Sequence, residues 1–129
     1  MPGYNVLLRN DQLDAITTFA GSGAKLRVYN GAQPATGGAA TTLLAEFTLG
    51  SPFAPAAAAA VLSPTLPSDT TGDAASTATW FRIVKADGTT HVIDGTAGTS
   101  ATDLVLNTAT ISVGVAVSVT GFTITRGNA

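Results

Sequence analysis

From Lys25 onward the chain is built of short runs in which apolar and polar residues alternate, each closed by a turn rich in Gly, Pro or Asp. Alternation with a period of two belongs to strands that bury one face, and it limits such a chain to packed sheets. In AKLRVYNG, residues 24–31, Leu26 and Val28 point one way and Lys25, Arg27 and Tyr29 the other. GAQPATGG then supplies turn chemistry, and TTLLAEFTL resumes an extended pattern with Leu43, Ala45 and Phe47 on one side. The stretch TATWFRIVKADGTTHVIDGT, residues 77–96, is a hairpin turning at Asp87-Gly88. A two-residue loop there sets Val84 opposite His91, whereas a type I turn with a glycine bulge sets it opposite Thr90. In DLVLNTATISVGVAVSVTGFTIT, residues 103–125, Val115, Val117 and Val119 keep one parity while Phe122 and Ile124 keep the other. An extra residue in a β-bulge at Thr120 to Gly121 would return all five to one face. The expected fold is therefore all-β, an antiparallel β-sandwich or jelly roll with one short N-terminal helix.

That helix is the only one the pattern supports. Asn10 or Asp11 can cap it, Leu13, Ile16 and Phe19 or Ala20 recur at helical spacing, and Gly21 stops it. Residues 1–9, with Tyr4, Val6, Leu7 and Leu8, are strand-like in composition and form an N-terminal arm ahead of a single domain spanning residues 10–129. Their apolar cluster makes the arm a candidate attachment surface, with pairing as an edge strand of its own sandwich as the alternative. In residues 51–75, five consecutive alanines favour helix, but Pro52, Pro55, Pro64 and Pro67 hem them in, so an extended edge segment leading into a Pro-rich loop is expected rather than a helical turn.

The hairpin raises a question of cover. Thr79, Phe81 and Ile83 share one face, and Trp80, Arg82 and Val84 share the other, so neither face is wholly polar. Trp80 is either a core residue covered by the opposite sheet, the helix or the arm, or the centre of a subunit contact with Arg82. The expected cover is the helix or the arm. The candidate protein interface thus comprises Tyr4, Val6, Leu7, Leu8, Trp80 and Arg82.

Catalysis finds little to use. Cysteine is absent, which removes a disulfide framework, a thiolate zinc site and a cysteine nucleophile. His91 is the single histidine, there is no G-x-S-x-G, P-loop or G-x-G-x-x-G pattern, and Asp69 and Asp73 are too few for a calcium loop. No enzyme activity, cofactor or metal is expected. A net charge of −2 with 11 % charged residues offers no basic surface for nucleic acid. Soluble domains usually carry about 25 % charged residues, so much of this surface falls to Thr, Ser, Ala and Gly and suits packing against protein. The longest apolar run, residues 56–62, is far short of the roughly 20 residues of a membrane helix. The N-terminus has no secretory pattern, and a soluble, cytoplasmically made protein is expected.

The order of NDQLDAI, GSGAKLRVYNGAQPAT, LLAEFTL, TATWFRIVKADGTTHVIDGTAGT and DLVLNTATISVGVAVSVTGFTIT, together most of the chain, resembles a group of small virion proteins of tailed bacteriophages. The resemblance implies a structural protein of the virion, made in the host bacterial cytoplasm and similar to capsid decoration (cement) proteins, which bind the outer head surface and stabilise the capsid lattice. It implies the major capsid protein or other virion proteins as partners and a homo-oligomer, dimer or trimer. Alternatives are a tail or connector structural protein and a carbohydrate-binding or receptor-binding β-sandwich module. Sugar sites usually display aromatic rings, and this chain has only 6 % aromatics and one Trp.

Overall fold

Asn5 starts the first element. Its side chain accepts a hydrogen bond from the Leu7 N–H at 2.8 Å, and the helix α1, Val6–Ala20, runs until Gly21, whose φ of +71° ends it. In this computed structural model, which describes residues 2–126, the helix therefore begins one turn before the expected caps Asn10 and Asp11. Val6, Leu7 and Leu8 belong to its first turn and not to an extended arm. Nothing in residues 6–9 breaks a helix, and once Asn5 caps it, Asn10 is free to accept from the Ala60 N–H at 2.8 Å instead. Leu13 and Ala20 are buried, Ile16 is half-buried and packs on the core, and Phe19 stays exposed.

Among the described residues twelve strands follow: β1 Lys25–Tyr29, β2 Leu43–Thr48, β3 Val61–Leu62, β4 Thr70–Thr71, β5 Ser76–Thr77, β6 Trp80–Val84, β7 His91–Gly98, β8 Leu104–Leu106, β9 Thr110–Ile111, β10 Ala116–Val117, β11 Val119–Phe122 and β12 Ile124–Thr125. The architecture is all-β with one helix, as the alternation requires. Six strands make a curled sheet in the order β11-β8-β7-β6-β1-β2. The pairs β10–β4, β12–β3 and β5–β9 are separate two-stranded ribbons. The named strands pair antiparallel except β7 and β8, which run parallel with Ala97 opposite Leu104. One core joins Leu26, Val28, Phe81 and Ile83 of the sheet to Leu62, Ile111 and Val117 of the ribbons and to Leu13 of α1.

Three bulges decide which side chains reach that core. In β2 the register shifts beside Val28 and Tyr29, so Leu43 lies opposite Tyr29 and Leu44 turns inward. Leu44 is fully buried where Leu43 was expected. In β7 the register shifts at Val92: Val84 sits opposite His91, but Ile83 meets Ile93 and Arg82 meets Asp94. The Val84–His91 register holds although the turn itself spans more than Asp87-Gly88, with Lys85 N donating to Thr90 O and Gly88 N to Lys85 O. In β11 the shift falls between Val119 and Gly121, as the parity switch implies. Val117, Val119 and Phe122 are buried and Ile124 packs against the core. Val115 is the exception, exposed in the turn before β10. The glycine itself is not in the left-handed region, because the extra residue absorbs the irregularity.

The alanine run forms no helix. Ala58 and Val61 exchange backbone hydrogen bonds around a two-residue turn in which Ala59 and Ala60 have φ of +52° and +60°. Asn–Gly is the usual choice for such a turn, since a Cβ disfavours positive φ. Here the helix holds the turn in place: Asn10 accepts from Ala60 N, and Asp14 from Ala57 N at 2.7 Å. Arg126 N closes the other side onto Ala60 O.

Candidate interaction surfaces

The face of the sheet turned away from the core carries charge in a row. Across β2, β1, β6 and β7, Arg27 sits opposite Glu46 on one side and Arg82 on the other, and Arg82 sits opposite Asp94. The two central arginines would repel, but each has its own carboxylate. Arg27 Nε reaches Glu46 Oε2 at 2.7 Å, and Arg82 Nε and Nη2 reach Asp94 Oδ1 and Oδ2 at 2.7 and 3.0 Å. Asp94 shares this face with Arg82 only because of the bulge at Val92. The same bulge brings His91 to Asp94, with Nε2 3.1 Å from Oδ1 but off the line that a hydrogen bond needs.

Above this row lie residues 30–42, which leave β1 and return to β2 as a strap across the outer face. Gly37, at φ +74°, donates its N–H to Asp94 Oδ2 at 3.0 Å. Trp80 Nε1 donates to Asn30 O and to Thr41 Oγ1, each at 3.0 Å, and its ring stacks on Tyr29 with centroids 4.4 Å apart. The guanidinium of Arg82 lies 5.2 Å from the indole centroid. Trp80 is 0 % exposed and the Asp94 side chain 2 %. Burial alone would raise the Asp94 pKa, but hydrogen bonds from Arg82 and from Gly37 N–H, with the charges of Arg82 and His91, outweigh it and hold the carboxyl below its usual value.

The strap answers the question of cover differently from expectation. α1 packs on the core side of the sheet and residues 2–5 precede it, so neither shields Trp80. A loop of Gly, Ala, Pro and Thr does, through backbone and hydroxyl groups that carry no periodic signal. The six candidate interface residues are accordingly not brought together. Trp80 is sealed in and unavailable for contact with another subunit, and Arg82 is committed to Asp94 beneath the strap.

On the opposite side, Val6, Leu7 and Leu8 are 40 %, 68 % and 45 % exposed. Successive helix positions are about 100° apart, so the three surround the end of α1 instead of forming a stripe. Tyr4 is half-buried, with the Arg126 guanidinium 5.5 Å from its ring centroid. Arg126 also donates to Gln12 Oε1 at 3.1 Å, which fixes the second turn of the helix to the residue after β12.

A hollow of about 180 Å³ lies nearby, lined by residues of β6, β7, β11 and β12. Phe81, Ile93, Phe122 and Ile124 form its apolar side, and Asp94, Asp103, Thr123 and Thr125 complete it, so half of the lining residues are polar. Its nearest sequence signal is the parity switch at Gly121, which puts Phe122 and Ile124 on the core-facing side. Among the described residues, no group of three or more His, Asp or Glu side chains could hold a metal ion. No helix among them is long and apolar enough to cross a membrane. Compared with protein families, curated proteins and solved structures, the chain finds no match.

Proposed function

We propose that the protein is a structural component of a tailed-phage virion, a decoration protein that sits on the outer head surface and braces the capsid lattice. The observation that carries the proposal is the apolar end of α1: Val6, Leu7 and Leu8 are held exposed on a helix that is pinned to the sheet scaffold through Asn10, Asp14 and Arg126. Exposed apolar side chains on a rigid support suit attachment to protein. The low charge of the remaining surface suits the same role, and the order of sequence segments resembles that of small virion proteins. The partners are the major capsid protein or neighbouring virion proteins, together with sister subunits.

A sugar-binding module is less well supported, because such sites present exposed rings and the stacked Tyr29–Trp80 pair is buried under the strap. The test is the copy number of the protein in purified particles of the phage that encodes it, measured by quantitative mass spectrometry. Hundreds of copies, released without loss of tails, are expected. A handful of copies would place it at a connector or tail tip, and absence from particles would refute a virion role.

A further inference from the structure

We propose that residues 31–41 are a lid that opens and closes as one unit over the outer face of the sheet, which stays folded beneath it. The lid is held without burial. None of residues 31–41 is buried and only Pro34 and Gly38 are half-buried, so the segment has no apolar foot in the core. Hydrogen bonds hold it at two places. At its base, Thr79 Oγ1 donates to Gly31 O, Thr41 Oγ1 to Asn30 O, and Trp80 Nε1 to Asn30 O and Thr41 Oγ1. At its tip, Gly37 N–H donates to Asp94 Oδ2 at 3.0 Å. Among the described residues, this is the one hydrogen bond that ties residues 32–40 to the rest of the chain, since the bond from Gly38 N to Ala35 O stays within the lid.

The covered side chains are also held from the sheet, which is why opening need not unfold it. Trp80 lies opposite Tyr29 in the β1–β6 pair and stacks on its ring, and the Arg82 guanidinium rests 5.2 Å from the indole centroid while keeping both bonds to Asp94. None of these contacts uses the lid. What opening gives up is the bond of Gly37 and those around the indole N–H, all of which water can replace. Segments whose hydrogen bonds are exposed and whose apolar contacts are few open at a lower free energy than the whole domain.

The two states show different surfaces. Closed, the lid presents Gly, Ala, Gln, Pro and Thr. Open, the face presents Tyr29, Trp80 and Arg82, the residue types in which the energetic centres of protein contacts are enriched. The lid therefore masks an adhesive row and is not needed to complete the core.

Native-state hydrogen exchange of the full chain tests this. Gly37 N–H reports the tip and Trp80 Nε1–H the base, while the amides of β1, which lies between β2 and β6, report global unfolding. The first two are expected to share one opening equilibrium, at least about a hundredfold more populated than the one that frees the β1 amides. Their exchange should depend only weakly on dilute urea, because a local opening exposes little surface. A second arm replaces residues 31–41 by Asn-Gly, a two-residue hairpin loop that suits the bond from Asn30 N to Thr42 O. This variant is expected to keep wild-type methyl shifts at Val28 and Ile83, with Trp80 emission shifted to the red and open to quenching by acrylamide. An indole N–H that exchanges only together with the β1 amides would overturn the proposal. So would tip and base equilibria that differ by more than about tenfold, a lidless chain that does not fold, or one that folds with its Trp80 emission unshifted.

Discussion

Asp94→Asn removes the charge on which the outer face converges. Asp94 accepts two hydrogen bonds from Arg82 and one from Gly37 N–H, and its side chain is 2 % exposed. The amide keeps one acceptor oxygen but presents an NH₂ group to the donors on the other side. Arg82, itself largely buried, is left without a counter-charge. Breaking a buried pair by removing one partner costs about 3–5 kcal/mol, and since small domains are stable by only ~5–15 kcal/mol in all, the loss should be plain in a urea titration. Trp80 is the chain's single tryptophan and lies under the strap that Gly37 anchors to Asp94, so its fluorescence reports both events. The unfolding midpoint should fall, and the native emission should shift to the red as the strap lifts. The double variant Arg82→Met with Asp94→Leu should recover most of the stability, since it buries no unpaired charge. Folding lowers the Asp94 pKa, so its stabilisation is complete above the ordinary carboxylate value of about 3.9 and fades as pH falls through the lowered native value. Asp94→Asn should remove that part of the acid dependence. A loss below about 1 kcal/mol with unchanged native emission would refute the role given to this cluster.

Three further outcomes follow from local geometry. Ala59→Gly should stabilise the fold by about 1 kcal/mol, because Ala59 is exposed at φ +52°; a lower melting temperature would contradict this. Gly72→Ala should cost more than about 3 kcal/mol, since the added Cβ would lie 2.3 Å from the Ser112 carbonyl oxygen, and calorimetry showing near-wild-type stability would refute it. Asp87 is held at a pKa of about 2 by the Thr90 hydroxyl and the N–H groups of Thr90 and Thr89, so its hold on the turn should be complete above about pH 4 and be lost towards pH 2. NMR titration of Thr89 and Thr90 amide shifts with a midpoint near 4 would contradict that.

Strand existence was legible because each run buries one face, and alternation records that directly in AKLRVYNG, WFRIV and VTGFTIT. Even the bulge in β11 could be read, since both parities are marked by large apolar residues on either side of Gly121. The bulge at Val92 could not, because Val92 and Ile93 are both apolar and either could face inward. That one ambiguity hid the Arg82–Asp94 pair. The start of α1 was missed for a related reason: Val6, Leu7 and Leu8 show no helical stripe when all three lie at an exposed end. The strap over Trp80 left no pattern at all, since it acts through Asn30 and Gly37 backbone groups and the hydroxyl of Thr41.

The ribbon β12–β3 joins residues 124 and 125 to residues 62 and 61, and α1 rests on β3. A ribosome makes the helix first and β12 last of the described strands, so the support beneath the helix is completed only when synthesis has passed Thr125. Until then Ile124 and Thr125 have not been placed, and the hollow they help to line does not exist. Residues 6–20 are thus the first element made and among the last to be secured, so the hold on the helix depends on the far end of the described chain.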